Sequence, residues 1–368
     1  LRKRSLAIAA VSLAVLGSGH LGASPSTADL FQRYVQAPSR VLTELGAVDN
    51  LDAARADLDH LAPKFLSAPA PAKTAASPGA PADAAAPVVP LLEQRRRDLV
   101  TFALDLAGAN VVRHGLAARR LVEWACYNVR RHQPPNDFDH RWQLAALALM
   151  EGVMDPESLR EHAGHFESQF PGEPRAALAR AIADEQVTAP VELFTVSNAN
   201  AAAFARARNP SGVATAVLLD RAAASFEALV KVDSLRPEAG LRLAHVQIEQ
   251  RRFDRALVSL DDVDASARDG YVRYLSQLFR GVALEGLGRS RDAQTAYRAA
   301  LETGPHAHAA TMALATSLFR TGQRAEADEL VASLVENDDQ SKDVWWAYWA
   351  GDFHLWGALI GPVRDLVK

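Results

Sequence analysis

Sulfur chemistry is almost missing from this chain. Cys126 is its one cysteine, which excludes an intrachain disulfide framework and any zinc or iron–sulfur site built on several converging thiolates. A surplus of positive charge is missing as well. Lys and Arg number 40 against 44 Asp and Glu, a net charge of −4, and three of the basic residues crowd together at Arg2, Lys3 and Arg4. That balance repels phosphate backbones and anionic lipid, so no nucleic-acid partner is expected. The H-E-x-x-H pair of zinc proteases, the phosphate-cradling G-x-x-x-x-G-K-[ST] and the G-x-S-x-G elbow are all absent, so neither a cofactor nor catalysis is expected. Alternating apolar runs are absent too, apart from VELFTV at 191–196, and a sheet is therefore not expected. What is present is an alanine-rich chain of 368 residues, 49% apolar, long enough to bury a substantial all-α core.

The first 28 residues combine a basic start, an apolar run over 6–16 relieved by Ser12, and small residues ending in Ser26, Thr27 and Ala28. This is the layout of a secretory signal peptide, with cleavage expected after Ala28 and Ala23 as the competing position. The run is too short to cross roughly 30 Å of hydrocarbon at about 1.5 Å per residue, so no stable membrane span is expected after cleavage. No cysteine follows for lipid attachment. A periplasmic or secreted bacterial protein is the expectation. Residues 29–66 carry helical spacing in three short stretches, broken at Pro38 and near Asp49 and Asn50. Residues 67–90 are mostly Ala and Pro and read as a linker, because frequent proline forbids both helix and ladder. Residues 91–220 read as a helical region with degenerate repeats, with helices at 91–114, 116–132, 138–152, 156–170 and 175–186.

Residues 221–342 carry an internal period. Gly288, Ser290, Ala293, Tyr297, Ala300, Leu301 and Pro305 form a pattern that returns 34 residues later at Gly322 and Ala327, with Val331 and Leu334. Upstream, Phe253, Ala256 and Leu260 repeat its second helix. Small residues stand where two helices cross closely and larger ones fill the gaps beside them. This pattern resembles the tetratricopeptide repeat, with helix pairs starting near Pro237, Tyr274 and His308. Ala222, Phe226 and Leu229 fit the second helix of an earlier copy, and Trp142, Phe166 and Pro174 a degenerate one. Departures from the repeat are Gln277, Arg280 and Gln247 at positions that usually hold Trp, Leu and Tyr. As a whole the chain resembles secreted tetratricopeptide proteins of GC-rich bacteria, through LVEWACYNVRR, FDHRWQLAALALMEG and DVWWAYWAGDF, a group without a settled activity.

The resemblance implies an α-solenoid whose first helices line a concave groove, hence a protein or peptide partner of unstated identity. Aligning the repeats places Leu241, His245, Ile248 and Glu249, then Leu278, Val282 and Glu285, then Met312, Thr316, Phe319 and Arg320 on that groove. The aromatic stretch Trp345, Trp346, Tyr348, Trp349, Phe353 and Trp356 is expected to form a hairpin over 343–368 that caps the apolar flank Leu330, Val331 and Leu334. The alternative is an exposed platform for sugar rings, which would make the protein a polysaccharide-handling accessory. His162 and His165 have the spacing of two metal ligands on one helix face, but no third ligand is dictated and packing histidines are the default. Pro305, His306 and His308 fall in an inter-repeat turn. Cys126 reads as a buried apolar thiol, and Arg95–Arg97, Arg119, Arg120, Arg130 and Arg131 read as solvated helix faces.

Overall fold

The computed structural model describes residues 25–66, 88–128, 135–152, 156–189, 212–266, 269–305, 307–336 and 343–367. Residues 1–24 of the leader, most of the linker, VELFTV and His306 lie outside them. Every regular element among the described residues is helical. Two compact units divide the chain, one built from its first part together with residues 352–367 and one from residues 156–351.

The first unit contains α1 (Thr27–Gln36), α2 (Pro38–Leu45), α3 (Leu51–Leu66), α4 (Val88–Asn128) and α5 (Asp137–Gly152), joined by α16 (Trp356–Asp365). Ser26 caps α1 by accepting from the Asp29 amide, and Pro38 starts α2 at a position where its missing N–H costs nothing. The linker ends earlier than composition suggests, since Val88 already opens α4. That helix bends at His114 (φ −136°, ψ 44°), next to Gly115, the residue that separates the two sequence-predicted helices. The rings of Phe31 and Tyr34 meet Phe102 edge-on at 5.2 Å. The Tyr34 hydroxyl donates to Asp105 at 2.6 Å, and Arg364 reaches the same carboxylate at 2.5 Å. One buried acid thus joins α1, α4 and α16, and burial followed by that carboxylate pushes the Tyr34 phenol well up. Arg96 departs from the solvated-face reading: it is buried between Glu93 (2.8 Å) and Asp139 (2.9 Å), because α5 covers that side of α4. Cys126 is buried as expected.

The second unit stacks α6 (Pro156–Gln169), α7 (Pro174–Glu185), α8 (Thr215–Leu229), α9 (Arg236–Glu249), α10 (Phe253–Ser266), α11 (Gly270–Gly286), α12 (Ser290–Thr303), α13 (His308–Arg320) and α14 (Arg324–Glu336), followed by the short α15 (Val344–Trp349). From α6 to α14 each helix packs on the next, and α9, α11 and α13 also touch in sequence, forming one inner row. Ala256, Ala293, Ala300 and Ala327 are buried at the crossings. At Gly281 a Cβ would lie 2.2 Å from the Tyr297 ring, so only glycine lets α11 and α12 approach this closely. The degenerate copy is corrected: Trp142 belongs to the first unit and Phe166 to the second, where α6 pairs with α7. Their spacing is compatible with a repeat, but the two aromatics serve different cores.

The departures at Gln277, Arg280 and Gln247 exchange apolar packing for hydrogen bonds. Asp264 on α10 accepts from Ser276 (2.5 Å), Gln277 (3.2 Å) and Arg280 (2.7 Å) on α11, and Arg280 also meets Asp261 at 2.8 Å. Burial lowers the Arg280 pKa but the two carboxylates outweigh it, so the guanidinium is held above its ordinary range. Gln247 accepts from Ser259 at 2.9 Å.

Each repeat turns between its two helices in the same way. Arg252, Arg289 and Gln323 donate their amides back to Gln247 (2.7 Å), Leu284 (2.9 Å) and Leu318 (2.9 Å) around residues of positive φ: Arg251 (57°), Gly288 (73°) and Gly322 (86°). A left-handed residue with a side chain costs roughly 1–2 kcal/mol, against about 0.5–1 kcal/mol of extra entropy lost by glycine on folding. Arg251→Gly is therefore expected to stabilise the repeat unit by about 0.5–1 kcal/mol and raise its melting temperature by ~2 °C. Calorimetry showing a lower melting temperature would contradict the assignment of strain to Arg251.

Candidate protein-binding groove

The inner row of α9, α11 and α13 places the eleven sequence-predicted groove residues in two groups. Leu241, His245, Ile248 and Leu278 are buried, and the three apolar ones belong to the continuous core of the repeats. Glu249, Val282, Met312, Thr316, Phe319 and Arg320 are exposed, and Glu285 is half-buried. The second group remains together. Met312, Thr316 and Phe319 follow one face of α13, while Glu285 accepts from Ser317 and lies 3.8 Å from Arg320, which ties α11 to α13 beside Val282.

His245 in the first group is covered by the chain's own residues 343–349. Asp343 accepts from the Trp345 amide (2.9 Å) and from the Ala309 amide (2.6 Å), capping α15 and the first turn of α13 at once, and Tyr274 donates to it at 3.3 Å. The Trp345 and Tyr348 rings stack in parallel (5.7 Å, 2°) and both meet Phe279 edge-on, at 5.9 and 5.3 Å. Tyr348 and Trp349 also enclose the His245 ring, at 5.2 and 5.4 Å. On the flank that the expected terminal cap was to cover, Leu334 is buried, Leu330 half-buried and Val331 42% exposed, and the aromatic stretch divides between the two units. Phe353 packs on Gly152 and Trp356 on Gly108 in the first unit. Tyr348 and Trp349, 0% and 1% exposed, offer no surface to a sugar ring. The inner face supplies a helix N-terminus for Asp343 and a polar partner for the α15 backbone.

That polar partner belongs to a buried network. Arg242, fully buried, donates to Glu185 (2.9 Å), Glu238 (2.7 Å) and the Tyr348 carbonyl (2.9 Å), and its guanidinium lies 4.4 Å from the Tyr348 ring centre. Glu185 in turn contacts His245 Nδ1 at 2.8 Å and accepts from the Tyr348 hydroxyl. Gln186 donates to the Trp349 carbonyl at 3.2 Å. Burial alone would push the Glu185 carboxyl up, but Arg242 and the bonds from His245 and Tyr348 outweigh it and hold it below its ordinary range. Burial and the same carboxylate push the Tyr348 phenol far up, and the flanking acids keep Arg242 charged. One donor is left over. The Trp349 indole Nε1 has no hydrogen-bond partner among the described residues, and stranding a donor in this way costs about 1–3 kcal/mol.

Sequence reasoning placed the first helices correctly but missed Glu185, Arg242, Phe279 and Asp343. Arg242 carries a local signal, a charge inside a run of buried residues and one turn from Glu238. Nothing in the sequence pairs it with Glu185, 57 residues away. The metal-ligand candidates do not gather a site: His162 is buried, His165 lies 2.8 Å from the Gln169 amide nitrogen, and among the described residues no group of three or more His, Cys, Asp or Glu is set to hold a metal ion. No helix among the described residues is long and apolar enough to cross a membrane.

Stacked antiparallel pairs with small crossing residues, a shared turn and an inner row of first helices define a tetratricopeptide-like helical repeat in the second unit. Residues 199–318 match the family described as Tetratricopeptide repeat-like domain. Solved structures similar to this chain include MamA 41-end from Desulfovibrio magneticus RS-1 and the MamA RS-1 ArsTM double mutant. Both are 17% identical and cover 57% of this chain, with TM-scores of 0.39 and 0.38 over 99% and 100% of theirs. No curated protein matches it.

Removing one partner of a buried ion pair typically costs about 3–5 kcal/mol, so Glu185→Gln is expected to lower the melting temperature of the repeat unit clearly at pH 7. Because the folded pKa of Glu185 is depressed, its stabilisation is full above the unfolded value, about 4.3, and is lost as pH falls through the folded value. Wild-type melting temperature should fall more steeply than that of Glu185→Gln below about pH 4. Parallel pH profiles for the two proteins would contradict the pairing.

Proposed function

We propose that this protein is a non-catalytic scaffold of the exported space or cell envelope that holds a peptide or helix of a partner protein on the inner face of its repeats. The observation that carries this reading is the exposed strip on α11 and α13, where Val282, Met312 and Phe319 are 36%, 47% and 56% exposed. Large apolar side chains grouped on one face mark an interaction surface, and Glu285 and Arg320 beside them supply charge of both signs, which suits an amphipathic helix. The absence of catalysis in this reading is supported by the buried network, in which Glu185, Arg242 and His245 are engaged in joining helices. The negative net charge supports a protein rather than a nucleic-acid partner.

A photo-reactive amino acid at Phe319 in the full chain should crosslink one protein in the native envelope fraction. The same group at Val258, 64% exposed on the second helix α10, should not. Phe319→Ala should reduce capture about tenfold with unchanged circular dichroism, the size of a modest hot spot. Equal labelling from both positions would refute the inner face as the contact surface.

Export is supported by the tripartite start, and the α1 cap bears on where the leader would be cut. Cleavage after Ala28 would remove Ser26 and the buried Thr27, losing a cap typically worth about 1 kcal/mol, whereas cleavage after Ala23 keeps both. The mature protein is expected to start at Ser24. Amino-terminal sequencing that finds Asp29 first, or the leader intact, would overturn this.

A further inference from the structure

Residues 343–349 lie on the inner face as a bound peptide lies, and the contacts that hold them are of a recognition kind. Val344–Trp349 is six residues long, far below the roughly 12–15 that an isolated helix needs to persist in water, so the surface beneath it imposes its conformation. Both ends are gripped by polar groups of other helices. Asp343 reaches the Ala309 amide at the start of α13, while Arg242 and Gln186 hold the carbonyls of Tyr348 and Trp349. Side chains that reach main-chain carbonyls hold a peptide in place, and the rings between them select its side chains. Here those rings belong to His245 and Phe279.

Two features separate this arrangement from a permanent core. The floor is charged: Arg242 bonds both Glu185 and Glu238, so withdrawing the segment returns to water ions that keep their mutual bonds. The resident segment also fits imperfectly, because the Trp349 indole buries a donor with no acceptor among the described residues.

We propose that residues 343–349 are an exchangeable internal occupant of a peptide groove. The external ligand would be a short helix of the same chemistry, an aspartate N-cap followed by aromatic residues two, five and six positions later, which binds by displacing the resident segment. This rests on the inner face being a protein-contact surface. A phenylalanine at the sixth position keeps the ring contacts and removes the stranded donor, so a segment of that kind displaces the resident one.

The test uses the full chain and a fluorescein-labelled synthetic peptide of residues 341–351. Asp343→Ala in the protein frees the resident segment, and Trp345→Ala, at a half-buried position, is a second variant with a smaller packing change. Fluorescence polarisation should show the peptide binding both variants at least tenfold more tightly than wild type. A peptide carrying Trp349→Phe should bind more tightly still, and one carrying Asp343→Ala should lose binding. Hydrogen exchange on the wild-type protein should show the amides of 344–349 opening before those of α11. Exchange of 344–349 only in step with α11, or unchanged peptide affinity in a variant whose helicity is intact, would overturn the proposal. Crosslinking from Phe319 without peptide capture would leave the scaffold reading and refute displacement. Peptide capture without crosslinking from Phe319 would do the reverse.

Discussion

The buried pair of Glu185 and Arg242 is the interaction on which the repeat unit depends. Taking two ions out of water costs several kcal/mol each, and only dense hydrogen bonding recovers it. Here the recovery draws in α7, α9 and α15: Arg242 is satisfied by two carboxylates and a main-chain carbonyl, and Glu185 by a guanidinium, an imidazole and a phenol. Apolar side chains of equal volume would tolerate several packings. A guanidinium with three fixed acceptors tolerates few, and α15 is therefore held in one register on the inner face.

The same exchange of apolar fit for directed polar contact recurs along the stack. Asp264 gathers Ser276, Gln277 and Arg280 at a crossing where the repeat pattern calls for large apolar residues. The geometry of the helix pair survives because a hydrogen-bonded crossing can hold two helices at the distance an apolar one does, provided every polar atom finds a partner. The inter-helix turns are more uniform. Gly288, Gly322 and even Arg251 adopt positive φ because the amide that follows each must reach back to the end of the helix before it.

The C-terminal stretch serves both units. Residues up to Gly351 belong to the repeats, while Asp352, whose amide bonds Glu151, begins a segment that packs with the first unit, where Arg364 meets the buried Asp105. Arg364 also satisfies an acid that Tyr34 alone would leave half-paired. Aromatic density in this stretch thus reflects two different packing surfaces, each needing large side chains to fill the space beside small ones, such as Gly108 beneath Trp356.

Helix boundaries, the repeat and its inner face were legible in the chain itself, because they arise from local physics: the spacing of apolar residues, alanine at crossings, proline at helix starts and glycine in turns. The helix break beside Gly115 and the pairs near Pro237, Tyr274 and His308 were readable for that reason. Which part of the inner face stays open was not. His245 and Thr316 occupy equivalent positions on first helices, yet one is buried and the other exposed. The difference at His245 is made by Tyr348 and Trp349, about a hundred positions away, whose rings enclose it. Likewise the tryptophans of 345–356 announce burial without naming the surface that buries them. That choice rested on an arginine and a glutamate 57 residues apart, whose attraction has no signature in spacing because it exists only once the helices have brought them together.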